Sequence, residues 1–570
     1  MKTSLLFLTL TILLLITNAA DTMAQTRTVG TLINDPRAFN GYTLFAPNSA
    51  STTYLINNEG RQMHLWKCTV PPGQSVYLLE SGNLLHTGQT LPPNALFKSG
   101  GTAGKVQEYD WDGNLLWDFD YSTSTYCSHH DAKKLPNGNV LVIAWEYKTK
   151  DDAIAAGRDP SRLADNSLWP DHIIEVKQTG AKSGQIVWEW HVWNHLIQDF
   201  DPTKANYGNV AQHPELVDIN CIGGPSADWL HTNGIAYNQE FDQIIISIHN
   251  LGEVWVIDHS STTAEAASHS GGRSGKGGDI LYRWGNPQAY RAGSASEQKF
   301  FGQHDAQWIP KGVAGEGNIL VFNNGLNRPG GKYSTVDEFA PPVDAAGKYS
   351  YTSGSAYGPT TTTWSYEANP RTSFYSSNIS GAQRQPNGNT LICNGANGIL
   401  FEVTSQKEIV WQYVNPVTGS GILTQGEQVP SGGQGKTNSV FKIQRYAPDY
   451  PAFSGRTLTP GDFIEKYSST IVDEAIPHEL ELPQNYPNPF SDQTTIAFSF
   501  PQPTGNLLES RKDLSLRVYD VFGREVLDLT PQALTSDVVV LHRNQLPCAG
   551  LFFYRLEANG VRVTKMMIAR

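Results

Sequence analysis

The chain has 570 residues and a formal net charge of −12, with no basic run interleaved with aromatics, so nothing offers a nucleic-acid backbone a neutralising surface. Its length predicts one large domain plus an appendage. Five scattered cysteines (Cys68, Cys127, Cys221, Cys393 and Cys548) include no C-x-x-C pair and read as buried thiols or one incidental disulfide, with at least one left unpaired within the chain.

In chain order, residues 1–24 read as a secretory signal. Lys2 supplies the positive start, Leu5 to Ile16 the apolar stretch, and Thr22-Met23-Ala24 a cleavage site before Gln25. The stretch is too short for a comfortable membrane span, and no later segment is apolar enough to cross one, so a secreted, soluble mature protein is expected.

Residues 25–478 carry an all-β composition, rich in glycine and aromatics and punctuated by Pro and Asn-Gly turns. A loose repeat runs through them. Glycine turns open apolar strands at Gly82-Asn83-Leu84-Leu85, Gly138-Asn139-Val140-Leu141, Gly317-Asn318-Ile319-Leu320 and Gly388-Asn389-Thr390-Leu391. Closing strands end in aromatics at Trp117, Trp190, Trp284 and Tyr413, and a degenerate first copy runs from Thr53 to Trp66. Repeats of roughly 40–60 residues, each a small antiparallel sheet, predict a β-propeller, and the units count to six.

Two local motifs are set aside. Gly271 to Gly278 has the look of a phosphate loop, but Ser270 replaces the first glycine and no Ser or Thr follows Lys276, so it reads as a glycine loop. Asp110-Trp111-Asp112-Gly113-Asn114 lacks the later ligands of a calcium loop and reads as a hairpin turn.

Chemistry points to three histidines at matched places. His130 precedes the Gly138 turn, His231 the strand from Ile244, and His304 the Gly317 turn. Rotation about a propeller axis brings such positions together at one end of the channel. Ser380 stands at the same place in the next repeat, so the fold itself does not require histidine there. Asn233, two residues after His231 on a strand, is expected on the same face, and His249, after the run Ile244 to Ile248, within reach of the cluster.

From Glu479 the character changes. The box Asn485-Tyr486-Pro487-Asn488-Pro489-Phe490, the strand Leu514 to Asp520 with its turn Phe522 to Val526, and the ending Gly550 to Lys565 resemble the C-terminal sorting domain of type IX secretion cargo. The resemblance implies that residues 479–570 form a small immunoglobulin-like sandwich. It also implies type IX secretion machinery as a partner, and export across the outer membrane to the medium or cell surface.

The propeller segment, from about Gly41 to Asp462, resembles the arylsulfate sulfotransferase family. The resemblance rests on His130-Asp131 before a P-N-G-N turn, the H-x-N of His231 and Asn233, Glu253 to Asp258, and Gln303-His304-Asp305 followed by Asn318 to Gly325. It implies a six-bladed propeller that moves a sulfuryl group from an aryl sulfate to a phenol through a sulfohistidine, with no cofactor and no adenosine-phosphosulfate donor. His304 is then the nucleophile, His231 and Asn233 partners at the transferring group, and His130 a further sulfate-facing residue. His249 stands where the characterised branch has arginine.

Read alone, the residues suit this chemistry. A neutral imidazole is a ready nucleophile, a second histidine can shuttle the phenol proton, and preorganised donors such as Asn233, His130 and His249 can meet sulfuryl charge. Arg328, Lys332 and Arg384 are candidates for the missing arginine, and Trp229, Phe300, Phe301 and Trp308 for stacking on a phenol, against the plainer readings of solvated charge and blade core. Two alternatives stay open: a histidine-ligated metalloenzyme in the channel, and a non-catalytic propeller that binds glycans or proteins.

Overall fold

The computed structural model describes residues 27–163, 166–221, 226–433, 435–467, 482–498, 514–558 and 561–570. The expected signal, residues 1–24, lies outside the described residues. The chain divides into two compact units, Met1–Tyr467 and Ser468–Arg570.

The first unit is a β-propeller. Its strand pairing sets out antiparallel groups of four, in which the first strand lies innermost and the fourth outermost. Two of these groups are Tyr126–Lys134, Val140–Glu146, Asp171–Gly180, Ser183–His191 and Thr232–Asn238, Gln243–Ile248, Glu253–Asp258, Tyr282–Trp284. The next is His304–Trp308, Ile319–Asn323, Thr335–Phe339, Trp364–Tyr366. Sequence dictates the layering. Val140–Glu146 is an almost unbroken apolar run and is buried on both faces, as a strand with a sheet packed on either side must be. Leu115–Asp120, an outer strand, alternates polar and apolar and buries only Trp117 and Phe119. The Pro136 to Asn139 turn is tight: Gly138 takes φ +87°, and Asn137 Oδ1 accepts the Asn139 N–H at 2.9 Å.

Both ends of the unit are woven in. Gln444–Tyr446 forms the innermost strand beside Tyr42–Phe45, and Gly30–Asn34 extends the sheet of Gly381–Arg384, Thr390–Asn394, Ile399–Val403 and Ile409–Val414 at its outer edge. Asp110 to Asn114 is a hairpin turn, with Asp110 and Asn114 joined through their backbones.

The second unit is a two-sheet sandwich. Gln493–Ala497 pairs with Val538–His542, while Glu525–Asp528, Ser515–Tyr519, Gly550–Ala558 and Val561–Ala569 make the facing sheet. Phe490, Ile496, Leu516, Leu541, Phe552 and Met567 are among the residues of the core between them. Tyr554 anchors the proline box, its hydroxyl accepting the Asn485 N–H at 2.7 Å and donating to Pro483 O at 2.9 Å.

Among the described residues no helix is long and apolar enough to cross a membrane. The five cysteines form no disulfide; four are buried and Cys548 is exposed.

Candidate active site

The innermost strands do not run evenly to the channel mouth. Each of these strands carries a β-bulge there, and a residue in or just before the bulged stretch adopts a left-handed backbone: His130 at φ +54°, His231 at φ +54° and Asp305 at φ +54°. For non-glycine residues this conformation is costly and collects at functional sites. The matched histidines thus reach the channel in different ways. His130 lies within its bulge, His231 immediately precedes its strand Thr232–Asn238, and His304 opens its strand opposite Phe322.

The result is a file of four imidazoles around one cavity of about 1060 Å³. His130 and His231 have ring centres 4.6 Å apart, His231 and His249 5.1 Å, and His249 and His304 5.3 Å. All four line the cavity, together with Gln74, Arg328, Lys332 and Ile379. Successive rings meet edge to face, and among the described residues these four do not bring three ligating nitrogens together as a metal site would need.

Their surroundings drive the four apart in acidity. Burial, reinforced by the neighbouring imidazoles, holds His130 and His304 well below the ordinary histidine value and brings His249 down to about 4. Burial pulls on His231 too, but the Asp228 carboxylate outweighs it and raises His231. Asp228 Oδ2 lies 2.5 Å from His231 Nδ1, and is itself held by the Ser99 hydroxyl, while Trp145 Nε1 donates to Oδ1 at 3.0 Å. The Asp228 carboxylate thus favours the protonated form of His231, while burial favours the neutral form of the other three rings.

At His304 the hydrogen bonds fix the tautomer. Nδ1 faces Asn324 Oδ1 at 2.7 Å and Gly302 O at 3.1 Å, both acceptors, so it carries the proton. Nε2 therefore holds the lone pair and accepts the backbone N–H of Ile379 at 3.1 Å. Ile379 sits at φ +49°, a rare conformation for a β-branched residue.

Asn233 is placed differently from its expected face. It is fully buried, its Nδ2 donating to Gln303 O at 2.8 Å, and it does not line the cavity. The bulge between Thr232 and Ile235 breaks the strand alternation that would have aligned it with His231. It holds the peptide leading into His304.

Of the charged candidates, Arg328 and Lys332 line the cavity, and Arg328 Nε is buried without a hydrogen-bond partner. Arg384 is instead paired with Glu338 under Trp364. Trp229 and Phe300 belong to blade cores, Phe301 lies beneath the Arg328 guanidinium, and Trp308 lines a different cavity.

Several contributors escaped the sequence reading. Asp228 was legible as a carboxylate three residues before His231, and Asn324 as the first residue after an apolar strand. Phe441, whose ring lies 6.0 Å from that of His130 and 6.2 Å from that of His304, and Lys442 come from the closing segment. Lys442 Nζ bridges Asp131 at 2.7 Å and Asp305 at 3.1 Å, each carboxylate being the residue after a cavity histidine.

Comparison with known proteins identifies the family of each unit. Residues 73–421 match the arylsulfotransferase (ASST) family, and residues 484–570 match the secretion system C-terminal sorting domain, which marks the chain for type IX export to the cell surface or medium. Arylsulfate sulfotransferase AssT of Escherichia coli O6:H1 is 25% identical over 393 residues, covering 62% of this chain and 59% of that protein. This chain thus matches less than two thirds of that relative's length.

Among solved structures, a protein of unknown function from Bacteroides caccae is 12% identical (TM-score 0.37, covering 71% of this chain and 98% of that one). Virginiamycin B lyase of Staphylococcus aureus is 10% identical (TM-score 0.32, covering 74% and 96%). At those values they add nothing to the strand pairing. By the match across its histidine-bearing blades, the chain belongs to the arylsulfotransferase family.

Proposed function

We propose that this protein transfers a sulfuryl group from an aryl sulfate to a phenol through a covalent intermediate on His304, without an adenosine-phosphosulfate donor. The observation that carries the reading is the hydrogen bonding at two rings of the file: two acceptors on Nδ1 leave the His304 lone pair on Nε2, while the Asp228 carboxylate lies against Nδ1 of His231 and favours its protonated form.

In the first displacement His304 Nε2 forms a bond to sulfur as the sulfur–oxygen bond to the phenol breaks. The departing phenolate takes the proton from His231 Nε2, and Asp228 keeps the other ring nitrogen oriented. In the second, the now neutral His231 accepts the proton of the acceptor phenol. The phenol oxygen attacks sulfur, the sulfur–nitrogen bond breaks, and the lone pair returns to His304. Throughout, Asn324 Oδ1 accepts the His304 Nδ1 proton and so supports the positive charge on the sulfated ring.

Charge on the sulfuryl oxygens is met by Arg328 and Lys332 in place of the family arginine, with His130 and His249 as neutral contacts. Bond formation at Nε2 needs the Ile379 N–H to leave the lone pair. Released, it is within reach of a sulfuryl oxygen.

Mass spectrometry of protein quenched during turnover with a nitrophenyl sulfate tests this. A sulfuryl adduct on His304 is the expected result, together with loss of transfer to phenol in His304→Ala. An adduct elsewhere, or transfer that survives this substitution, overturns the assignment.

A further inference from the structure

Away from the channel, His195, His269 and Asp279 bring three ligating atoms within 4.8 Å of one another. His195 follows the short helical turn Val192–Asn194. His269 and Asp279 lie on the connection between Glu253–Asp258 and Tyr282–Trp284, in the next blade. The cluster therefore joins two neighbouring blades.

Its hydrogen bonding does not balance without a positive charge. His195 is fully buried, with Nδ1 2.8 Å from Asp279 Oδ1 and Nε2 2.8 Å from the carbonyl of Ala266. Both oxygens only accept, so a neutral ring must point one lone pair at an acceptor. His269 Nδ1 approaches the same Asp279 Oδ1, also at 2.8 Å. Two imidazole nitrogens thus converge on one carboxylate oxygen, with the ligating atoms of the three residues all within 4.8 Å of one another, and the distal nitrogen of His195 donates to a backbone carbonyl, as that of a metal-bound histidine commonly does.

We infer that His195, His269 and Asp279 form a binding site for a divalent transition metal of the zinc type, which clamps the glycine loop of residues 271–278 against the preceding blade. Two nitrogens and one oxygen suit Zn²⁺. At ordinary zinc bond lengths the edges of its tetrahedron are about 3.3 Å, so each nitrogen parts from the Asp279 oxygen by roughly half an ångström on binding. His269, with 61% of its side chain exposed, leaves the fourth position to water.

The glycine loop acquires a physical reason in this reading. A Cβ on Gly278 would lie 2.0 Å from Ala266 O and 2.6 Å from His195 Nε2, and one on Gly277 2.2 Å from Ser268 O. Only glycine lets the chain pass this close over the cluster. Arg273 and Lys276, exposed on the same loop, give a direct readout of its clamping.

The test uses the full chain, untagged and stripped with chelator. Zn²⁺ binding is measured by equilibrium dialysis with elemental analysis on the wild type, His269→Ala and His304→Ala, alongside tryptic cleavage after Arg273 and Lys276. The expected result is a single equivalent bound by the wild type and by His304→Ala, at least about ten-fold weaker binding in His269→Ala, and cleavage slowed by Zn²⁺ only where the ion binds. No binding to the wild type, binding that His269→Ala leaves intact, loss in His304→Ala instead, or a cleavage rate insensitive to bound zinc would each overturn the inference.

Discussion

The backbone N–H of Ile379 lies 3.1 Å from Nε2 of His304, on the one ring nitrogen that Asn324 leaves with a lone pair. The proposed nucleophile is therefore capped at rest. The cap and the ring share a support: Asn324 Nδ2 donates to Ser376 O at 2.9 Å and to Ile379 O at 2.8 Å, while its Oδ1 holds His304. A single amide sets the tautomer of the ring and the position of the peptide that covers it.

Replacing Asn324 by Ala is expected to lower kcat/KM for sulfate transfer by about 10- to 100-fold, because two buried carbonyls and the ring proton lose their partner. Steady-state kinetics with circular dichroism as a control for folding checks this. Unchanged kcat/KM in a folded variant would show that the amide does not position His304.

The pH profile of the first half-reaction should report on His231. Its protonated form is the proton donor and Asp228 raises it, so activity is retained below that raised value and lost as pH rises through it. In Asp228→Asn the basic limb should move to lower pH. The measurement is the burst of phenol released from a donor with a poor leaving group, for which protonation matters most.

Arg328→Ala is expected to raise KM for the aryl sulfate by about ten-fold or more while leaving thermal stability within a degree or two, since it removes a charge at the cavity and little packing. Initial rates at varied donor concentration decide this. A fall confined to kcat would place Arg328 outside donor binding.

Lys442→Met strands the carboxylates of Asp131 and Asp305 in the channel and should cost about 3–5 kcal/mol in unfolding free energy. Adding Asp131→Asn and Asp305→Asn should recover most of it. Denaturant unfolding of the single and triple variants compares the two.

Acid should loosen the fold through the same histidines that serve catalysis. His249 is depressed to about 4, so the unfolded chain, at the ordinary 6.5, takes up its proton first. Stability contributed by the neutral ring is complete above 6.5 and is lost as pH falls toward 4. His249→Gln should flatten that part of the Tm–pH curve, by on the order of several degrees at the acid end.

Much of this was legible in the sequence. The glycine turns and aromatic strand ends marked the repeat because each blade needs the same turn and the same packed edge. His130, His231 and His304 were findable as neighbours because rotation turns repeat position into proximity, and His249 because it follows the apolar strand beside His231. Asn233 was not, since the bulge at Thr232 to Ile235 shifts side chains off the strand's alternation, and a bulge leaves no signature in residue type. Asp228 acts through a short loop reversal, and Ile379 through a backbone group that every residue possesses. Lys442 reaches Asp131 across 311 positions of chain, a pairing that no local pattern encodes.

The ring closes with strand Gln444–Tyr446 lying beside Tyr42–Phe45, and the residues just before it, Phe441 and Lys442, reach the cavity histidines and the aspartates that follow them. Lock and keystone are thus one stretch of polypeptide. A chain cut short before Phe441 would possess every histidine of the file and still lack the ring that lies beside His130 and His304 and the ammonium that joins Asp131 to Asp305.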